Sequence, residues 1–307
     1  MIFDKKGSIN QFVYKKKGVR LSVKREDLLH PIISGNKFRK LKYNILEAKK
    51  QNKNTLLTFG GAYSNHISAT AFAGKEFGFK TIGIIRGEEL AKDFAHTVNT
   101  NSTLNFAYKN GMKLKFVNRS VYRKKNELSF IEQLKNEFGN FYLIPQGGTN
   151  TLAVKGCEEI LNENDTKYDY ICVASGTGGT ISGIINSVKP KQKVIGFPAL
   201  KGDFLEKEIQ PYIKKNKNYQ WIHDFHFGGF AKINNELIRF INDFYNQYKI
   251  PLDPIYTAKM FYGIEKLIEG DFFKKGTEIL AIHTGGLQGI KPMNRKLQIK
   301  NKPLLYV

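Results

Sequence analysis

Only two cysteines, Cys157 and Cys172, occur in the 307 residues, and they form neither a CxxC pair nor a disulfide framework. Their spacing excludes a cysteine metal site and predicts two reduced, buried thiols. Close histidine pairs are equally rare: His223-x-x-His226 is the one example. An extended backbone there turns the two rings to opposite faces, so no metal centre is expected. No uninterrupted apolar run approaches a membrane span. Met1 to Asn10 carries charges where a secretory leader needs an apolar segment, so the expectation is a cytoplasmic protein with no membrane partner. Low-complexity tracts and fixed-period repeats are absent too.

Acidic residues are in deficit: 49 Lys and Arg against 27 Asp and Glu leave a formal charge of +22. Such an excess raises nucleic acid as a partner. The lysines are scattered along the chain, with short clusters such as Lys15-Lys16-Lys17 and Lys214-Lys215, and no recognisable nucleic-acid-binding module accompanies them. The charge is read as solvated surface that can steer anionic substrates and cofactors.

Hydrophobic residues at 41% exclude a disordered chain, and the length lies near the size at which one core divides into two, so two lobes are expected. Short β-branched or aromatic runs alternate with longer amphipathic segments. Strands are predicted at Leu21 to Lys24, Thr55 to Phe59, Thr81 to Ile85, Lys113 to Val117, Phe141 to Ile144, Tyr170 to Ala174, Lys193 to Phe197 and Glu278 to Ile282. Helices are predicted at Asn65 to Phe77, Asp93 to Asn110, Glu127 to Glu137, Leu152 to Asn162, Gly179 to Val188, Asn234 to Tyr248 and Tyr256 to Ile268. This alternation implies an α/β fold with mostly parallel sheets covered by helices, in which ligands sit at the carboxyl ends of strands.

Five stretches carry chemistry. In Gly35-Asn36-Lys37-Phe38-Arg39-Lys40-Leu41, apolar residues continue at helical spacing through Ile45 and Ala48, which puts Lys37 in a first helical turn. The positive helix end lowers an ammonium's pKa, and a free amine is what carbonyl chemistry needs. Phe59-Gly60-Gly61-Ala62-Tyr63-Ser64-Asn65-His66 joins a strand to a helix that Ser64 can cap, with amides around Asn65 and His66 suited to a small carboxylate. Ser175-Gly176-Thr177-Gly178-Gly179-Thr180 follows a strand and opens a helix, a loop suited to a single phosphate. A dinucleotide fingerprint from Gly176 would need glycine at Ile181, and a P-loop from Gly178 would need lysine at Ile184. The strand at Glu278 runs into His283-Thr284-Gly285-Gly286 and aims Thr284 at the same end of the fold, and Asp253-Pro254-Ile255-Tyr256-Thr257 offers a phenol near a helix start.

A lysine amine, a single-phosphate loop and a carboxylate-binding helix start are the parts of a pyridoxal-phosphate site. In their order and wording these motifs resemble the 1-aminocyclopropane-1-carboxylate deaminase and D-cysteine desulfhydrase family, from about Leu21 to Gly286. The resemblance implies the tryptophan synthase β-like fold (fold type II of these enzymes), each domain an open, mostly parallel sheet flanked by helices. It implies a large cofactor-binding domain of residues 1–48 and 143–307, with a small domain, 49–142, inserted in it, and a homodimer.

By the same resemblance Lys37 forms the internal Schiff base with pyridoxal 5'-phosphate and moves protons at the substrate carbon. Asn65 bonds the cofactor's ring hydroxyl, and Ser64 with the amides of Asn65 and His66 holds the substrate carboxylate. Ser175, Gly176, Thr177, Gly178, Gly179 and Thr180 take the phosphate, Thr284 faces the pyridine nitrogen, and Tyr256 matches an active-site tyrosine. Ring-opening members carry Glu and Leu where this chain has Thr257 and Thr284, which resembles the desulfhydrase branch. Phe230, in Phe227-Gly228-Gly229-Phe230-Ala231-Lys232, stands where family members carry a second tyrosine. The implied reaction is β-elimination from D-cysteine, giving pyruvate, ammonia and hydrogen sulfide. The alternatives are 1-aminocyclopropane-1-carboxylate deamination, elimination or racemisation of another small D-amino acid, and cofactor binding without turnover.

Overall fold

The computed structural model describes residues 8–214 and 218–307. The stretch read for a leader lies mostly outside these residues, as does Lys215 of one charge cluster. The chain runs β1 (Asn10–Lys16), β2 (Val19–Lys24), α1 (Asn36–Lys50), β3 (Thr55–Gly61), α2 (Asn65–Phe77), β4 (Lys80–Arg86), α3 (Phe94–Thr100) and α4 (Ser102–Lys109). It continues through β5 (Met112–Val117), α5 (Arg119–Arg123), α6 (Leu128–Phe138), β6 (Tyr142–Ile144), α7 (Thr151–Cys157), β7 (Tyr170–Ser175), α8 (Gly179–Ser187) and β8 (Lys193–Pro198). The last elements are α9 (Phe204–Ile209), β9 (Tyr219–Trp221), α10 (Asn235–Tyr248), α11 (Thr257–Glu269), β10 (Glu278–Ile282) and α12 (Ile290–Ile299).

Two compact units result, one of the residues through Arg39 with Val154–Val307, the other of Lys40–Ala153. The divisions fall inside α1 and α7, whereas the sequence placed them at Lys49 and Tyr142. The second half of α1 goes with the later segment because its polar side chains bond to the loop after β6. Lys40 Nζ donates to Gly147 O and Thr149 Oγ1, and Asn44 Oδ1 accepts from Asn150 Nδ2 at 2.7 Å.

The first unit holds a six-stranded sheet in the order β1-β2-β10-β7-β8-β9, parallel except for the β1–β2 hairpin. Its strands alternate faces with the period of two that pleating imposes. Cys172 and Ala174 pack towards α10 and α11, while Ile171 and Val173 pack towards α8. Ile181, Ile184 and Ile185 of α8 are wholly buried, each contributing about 1.5–3 kcal/mol. Cys157 and Cys172 are both buried, in different core clusters, and form no disulfide among the described residues. The second unit holds a four-stranded parallel sheet, β5-β4-β3-β6.

Two predicted helices are corrected. The segment Asp93 to Asn110 breaks at Asn101, whose side chain leaves the helical course to cap α4 by accepting from the amides of Thr103 and Leu104 at 3.0 Å. The segment Leu152 to Asn162 is helical only to Cys157, after which i→i−3 bonds at Glu159 and Ile160 tighten the chain out of the α-helix. The strands β1 and β9 and the helices α5, α9 and α12 are additional to the sequence reading. Among the described residues no group of three or more His, Cys, Asp or Glu side chains could hold a metal, and no helix is long and apolar enough to cross a membrane. His226 accepts the amide of Gly228 through Nδ1 at 2.9 Å, and His223 Nδ1 lies 3.6 Å from Asp203.

Candidate active site

The larger unit brings the lysine, phosphate-loop and Thr284 segments to one end of its sheet. Lys37 is the second residue of α1, and that first turn contains no acidic residue. Two contacts set its position. The amide of Asn36 donates to Thr284 O at 3.2 Å, and Asn36 Nδ2 donates to Thr180 Oγ1 at 2.9 Å. Gly35 makes the approach feasible: it takes φ +64°, and a Cβ there would lie 2.0 Å from Thr284 O.

Behind this turn lies a buried charge network. Arg39 donates through Nε and Nη2 to the two oxygens of Glu26, both at 2.9 Å, and Glu26 O accepts the amide of Gly35. Arg25 makes a matching forked contact with Asp27. Both pairs are bidentate, so the buried charges are paired and hydrogen-bonded as burial demands.

The phosphate loop leaves β7 at Ser175, whose Oγ is buried with no hydrogen-bonding partner among the described residues. Gly178 enters α8 at φ +77° with no side-chain cap, which leaves the first amides of the helix to a ligand. A Cβ at Gly176 would stand 2.9 Å from Tyr256 Cε1, so the Tyr256 phenol lies directly on the loop. An orphaned hydroxyl, uncapped helix amides and the Thr180 hydroxyl make a donor set that fits one phosphate group.

Tyr256 precedes α11, and burial, with the Asp253 carboxylate adding to it, pushes its phenol upward, so it stays neutral at physiological pH. Asp253 is fully engaged by its own turn. Its oxygens accept from the amides of Ile255, Tyr256 and Thr257 and from the Thr257 hydroxyl at 3.0 Å. Thr257 is therefore committed to the turn, and its hydroxyl also accepts the Asp253 amide at 2.9 Å. Thr284 is buried. His283 anchors that strand end with Nε2 2.6 Å from Pro251 O and Nδ1 accepting the Gly285 amide, a pairing that assigns the proton to Nε2. Phe230 is half exposed, and its ring meets Tyr256 edge-on with centroids 6.1 Å apart.

The smaller unit carries Ser64, Asn65 and His66. Ser64 caps α2 through a long bond, 3.4 Å, from the amide of Ile67. Asn65 begins α2, and His66 is buried with Nε2 2.8 Å from Thr58 Oγ1. The loop Gln146-Gly147-Gly148-Thr149-Asn150 joins this group, since a Cβ on Gly148 would come 3.0 Å from His66 Cε1. Sequence reasoning passed over that loop, although the pair Gly147-Gly148, two residues beyond the Phe141 to Ile144 strand, resembles the signal that marked Gly60-Gly61.

A family model described as pyridoxal-phosphate dependent enzyme matches residues 10–285. The bifunctional D-cysteine desulfhydrase/1-aminocyclopropane-1-carboxylate deaminase of Arabidopsis thaliana mitochondria is 31% identical, covering 89% of this chain and 74% of its own. A Pyrococcus horikoshii protein provisionally named 1-aminocyclopropane-1-carboxylate deaminase is 30% identical over 89% of this chain and 86% of its own. The crystal structure of an ACC deaminase homologue superposes with a TM-score of 0.81 at 26% identity, covering 96% of this chain and 94% of that one. A hydrogen sulfide-producing enzyme of Fusobacterium nucleatum, 16% identical with a TM-score of 0.67 over 94% of this chain and 98% of that one, shares the fold.

Proposed function

The chain belongs to the family of pyridoxal-phosphate dependent enzymes, and from that premise we propose that it is a lyase of the D-cysteine desulfhydrase type. Loss of the α-proton and of the thiolate, followed by water addition, converts D-cysteine to pyruvate, ammonia and hydrogen sulfide. The observation that carries the choice is the uncharged end of β10. Thr284 offers only a hydroxyl there, and the carboxylate at the head of α11, Asp253, is consumed by three amides and Thr257.

Bound pyridoxal phosphate supplies an electron sink for charge left at the substrate α-carbon. Lys37 would hold the cofactor and carry the α-proton. Ser175 and the amides at the start of α8 would take its phosphate. The Thr284 hydroxyl would meet the ring nitrogen without a full counter-charge, which suits expulsion of a good leaving group such as a thiolate better than opening of an unactivated ring. Tyr256, held neutral, would donate a hydrogen bond beside the phosphate loop. In the smaller unit, Asn65 is assigned to the cofactor's ring hydroxyl and Ser64 with His66 to the substrate carboxylate, on the residue match to the family. The reading includes a cytoplasmic homodimer acting on a small amino acid, with size-exclusion chromatography and fractionation as its checks.

The deciding experiment measures keto acid and sulfide from the cofactor-loaded protein with D-cysteine, L-cysteine and 1-aminocyclopropane-1-carboxylate in parallel. Pyruvate with sulfide from D-cysteine alone is the expected result. Keto acid from the cyclopropane substrate alone would establish the second reading, deamination, which the names of the relatives favour.

A further inference from the structure

Resting on this reading, we infer that Lys259 is a positioning residue that fixes Phe230 against Tyr256 and so shapes the wall that selects the substrate side chain. Lys259 is 2% exposed. Among the described residues it meets no carboxylate at ion-pair distance, an unusual state for a buried cation. Its ammonium instead donates to two backbone carbonyls, His226 O and Gly229 O, both at 2.8 Å. These carbonyls belong to the loop that presents Phe230.

The loop does not hold its shape by local preference. Phe227, Gly228, Gly229 and Ala231 all take positive φ, at 54°, 86°, 109° and 55°. For Phe227 and Ala231 that region is disfavoured, so something outside the loop must stabilise it. The carbonyls that Lys259 binds also close the loop's own turns, accepting from the amides of Gly229 and Lys232. Charge-assisted bonds to both carbonyls therefore tie both turns to α11.

The same helix fixes the other member of the aromatic pair. Tyr256 stands immediately before α11, three residues from Lys259. Tyr256 is thus placed by the chain and Phe230 by the Lys259 clamp, both with respect to one rigid element. The half-exposed face of Phe230 carries no hydroxyl, and the wall it makes with Tyr256 suits a compact, uncharged side chain such as the thiol of D-cysteine.

The test combines hydrogen exchange with a double-mutant cycle on the holoenzyme, using Lys259→Met, Phe230→Ala and both together. We expect the Gly229 and Lys232 amides to exchange about tenfold faster in Lys259→Met, while those of β7 stay unchanged. For D-cysteine, kcat/KM should fall about tenfold through KM, and by less than about twofold when Phe230 is already alanine. If Lys259→Met does not accumulate, Lys259→Gln carries the same comparison. Unchanged exchange in the loop, or additive losses in the double variant, would overturn the clamp. Faster loop exchange in a protein whose wild type never turns over D-cysteine would reject the functional reading and keep the clamp.

Discussion

Replacing Gly35 by alanine should damage both stability and turnover. An alanine at φ +64° costs about 1–2 kcal/mol from backbone sterics. Its Cβ would sit 2.0 Å from Thr284 O and 2.6 Å from the Gly285 nitrogen. Relief requires the start of α1 and the end of β10 to separate by about 1 Å, which strains or breaks the Asn36–Thr284 hydrogen bond, worth about 1 kcal/mol. A total near 3 kcal/mol is a large share of the roughly 5–15 kcal/mol that holds a domain folded. The one tryptophan, Trp221, lies in the same unit, on β9 beside Gly196 and bonded to Glu206, so its fluorescence in a urea titration reports that unit's unfolding. Turnover should fall about a hundredfold, because Lys37 moves with the turn and a misplacement of about 1 Å has that effect on a catalytic group. A Trp221 transition within about 0.5 kcal/mol of wild type, with full keto-acid release, would refute the packing on which the site rests.

Ser175→Ala should leave the apoprotein as stable or slightly more so, since it removes a buried hydroxyl without a partner, yet weaken cofactor binding about tenfold, as equilibrium dialysis would show. Borohydride reduction followed by peptide mapping should fix the cofactor to the Lys37 peptide, and Lys37→Ala should abolish that label. Thr257→Glu puts a second carboxylate beside the buried Asp253, and a loss of about 2 kcal/mol is expected in the Trp221 transition; combined with Thr284→Leu it should move substrate preference towards cyclopropane opening. Burial lowers the Lys259 ammonium from 10.5 to about 8, only partly offset by Asp253. The unfolded chain then binds more protons between those values, so this group's contribution to stability rises with pH from about 8 to 10.5 and is lost as pH falls through 8. In urea titrations the unfolding free energy of the wild type should therefore rise relative to that of Lys259→Met between pH 7.5 and 9.5, by about 2 kcal/mol.

Much of this was legible because it is local. Helix α2 has the bounds its sequence predicts, Asn65–Phe77, since Ser64 caps one end and Gly78 at φ +76° closes the other. Strand β10 likewise coincides with its prediction, because an apolar run bounded by polar and glycine residues has few other readings. The placement of Lys37 in a first helical turn and the glycine loop after Ser175 are of the same kind. Asn101 shows where local reading fails: its neighbours favour helix on both sides, and only the cap formed in the folded chain decides that one helix becomes two.

The sequence by itself determined the α/β architecture and the family and put forward the candidate site residues, because hydrophobic periodicity, caps and glycine turns are properties of a few neighbouring residues. Only the tertiary structure decided that Gly35 rests on Thr284, that Asn36 reaches Thr180, that the Thr257 hydroxyl is spent on Asp253 and that Lys259 is buried beneath the Phe230 loop. Each of these depends on which distant carbonyl or side chain a group meets once the strands have taken their order. That order is set by burial of whole sheet faces, so no window of sequence contains it.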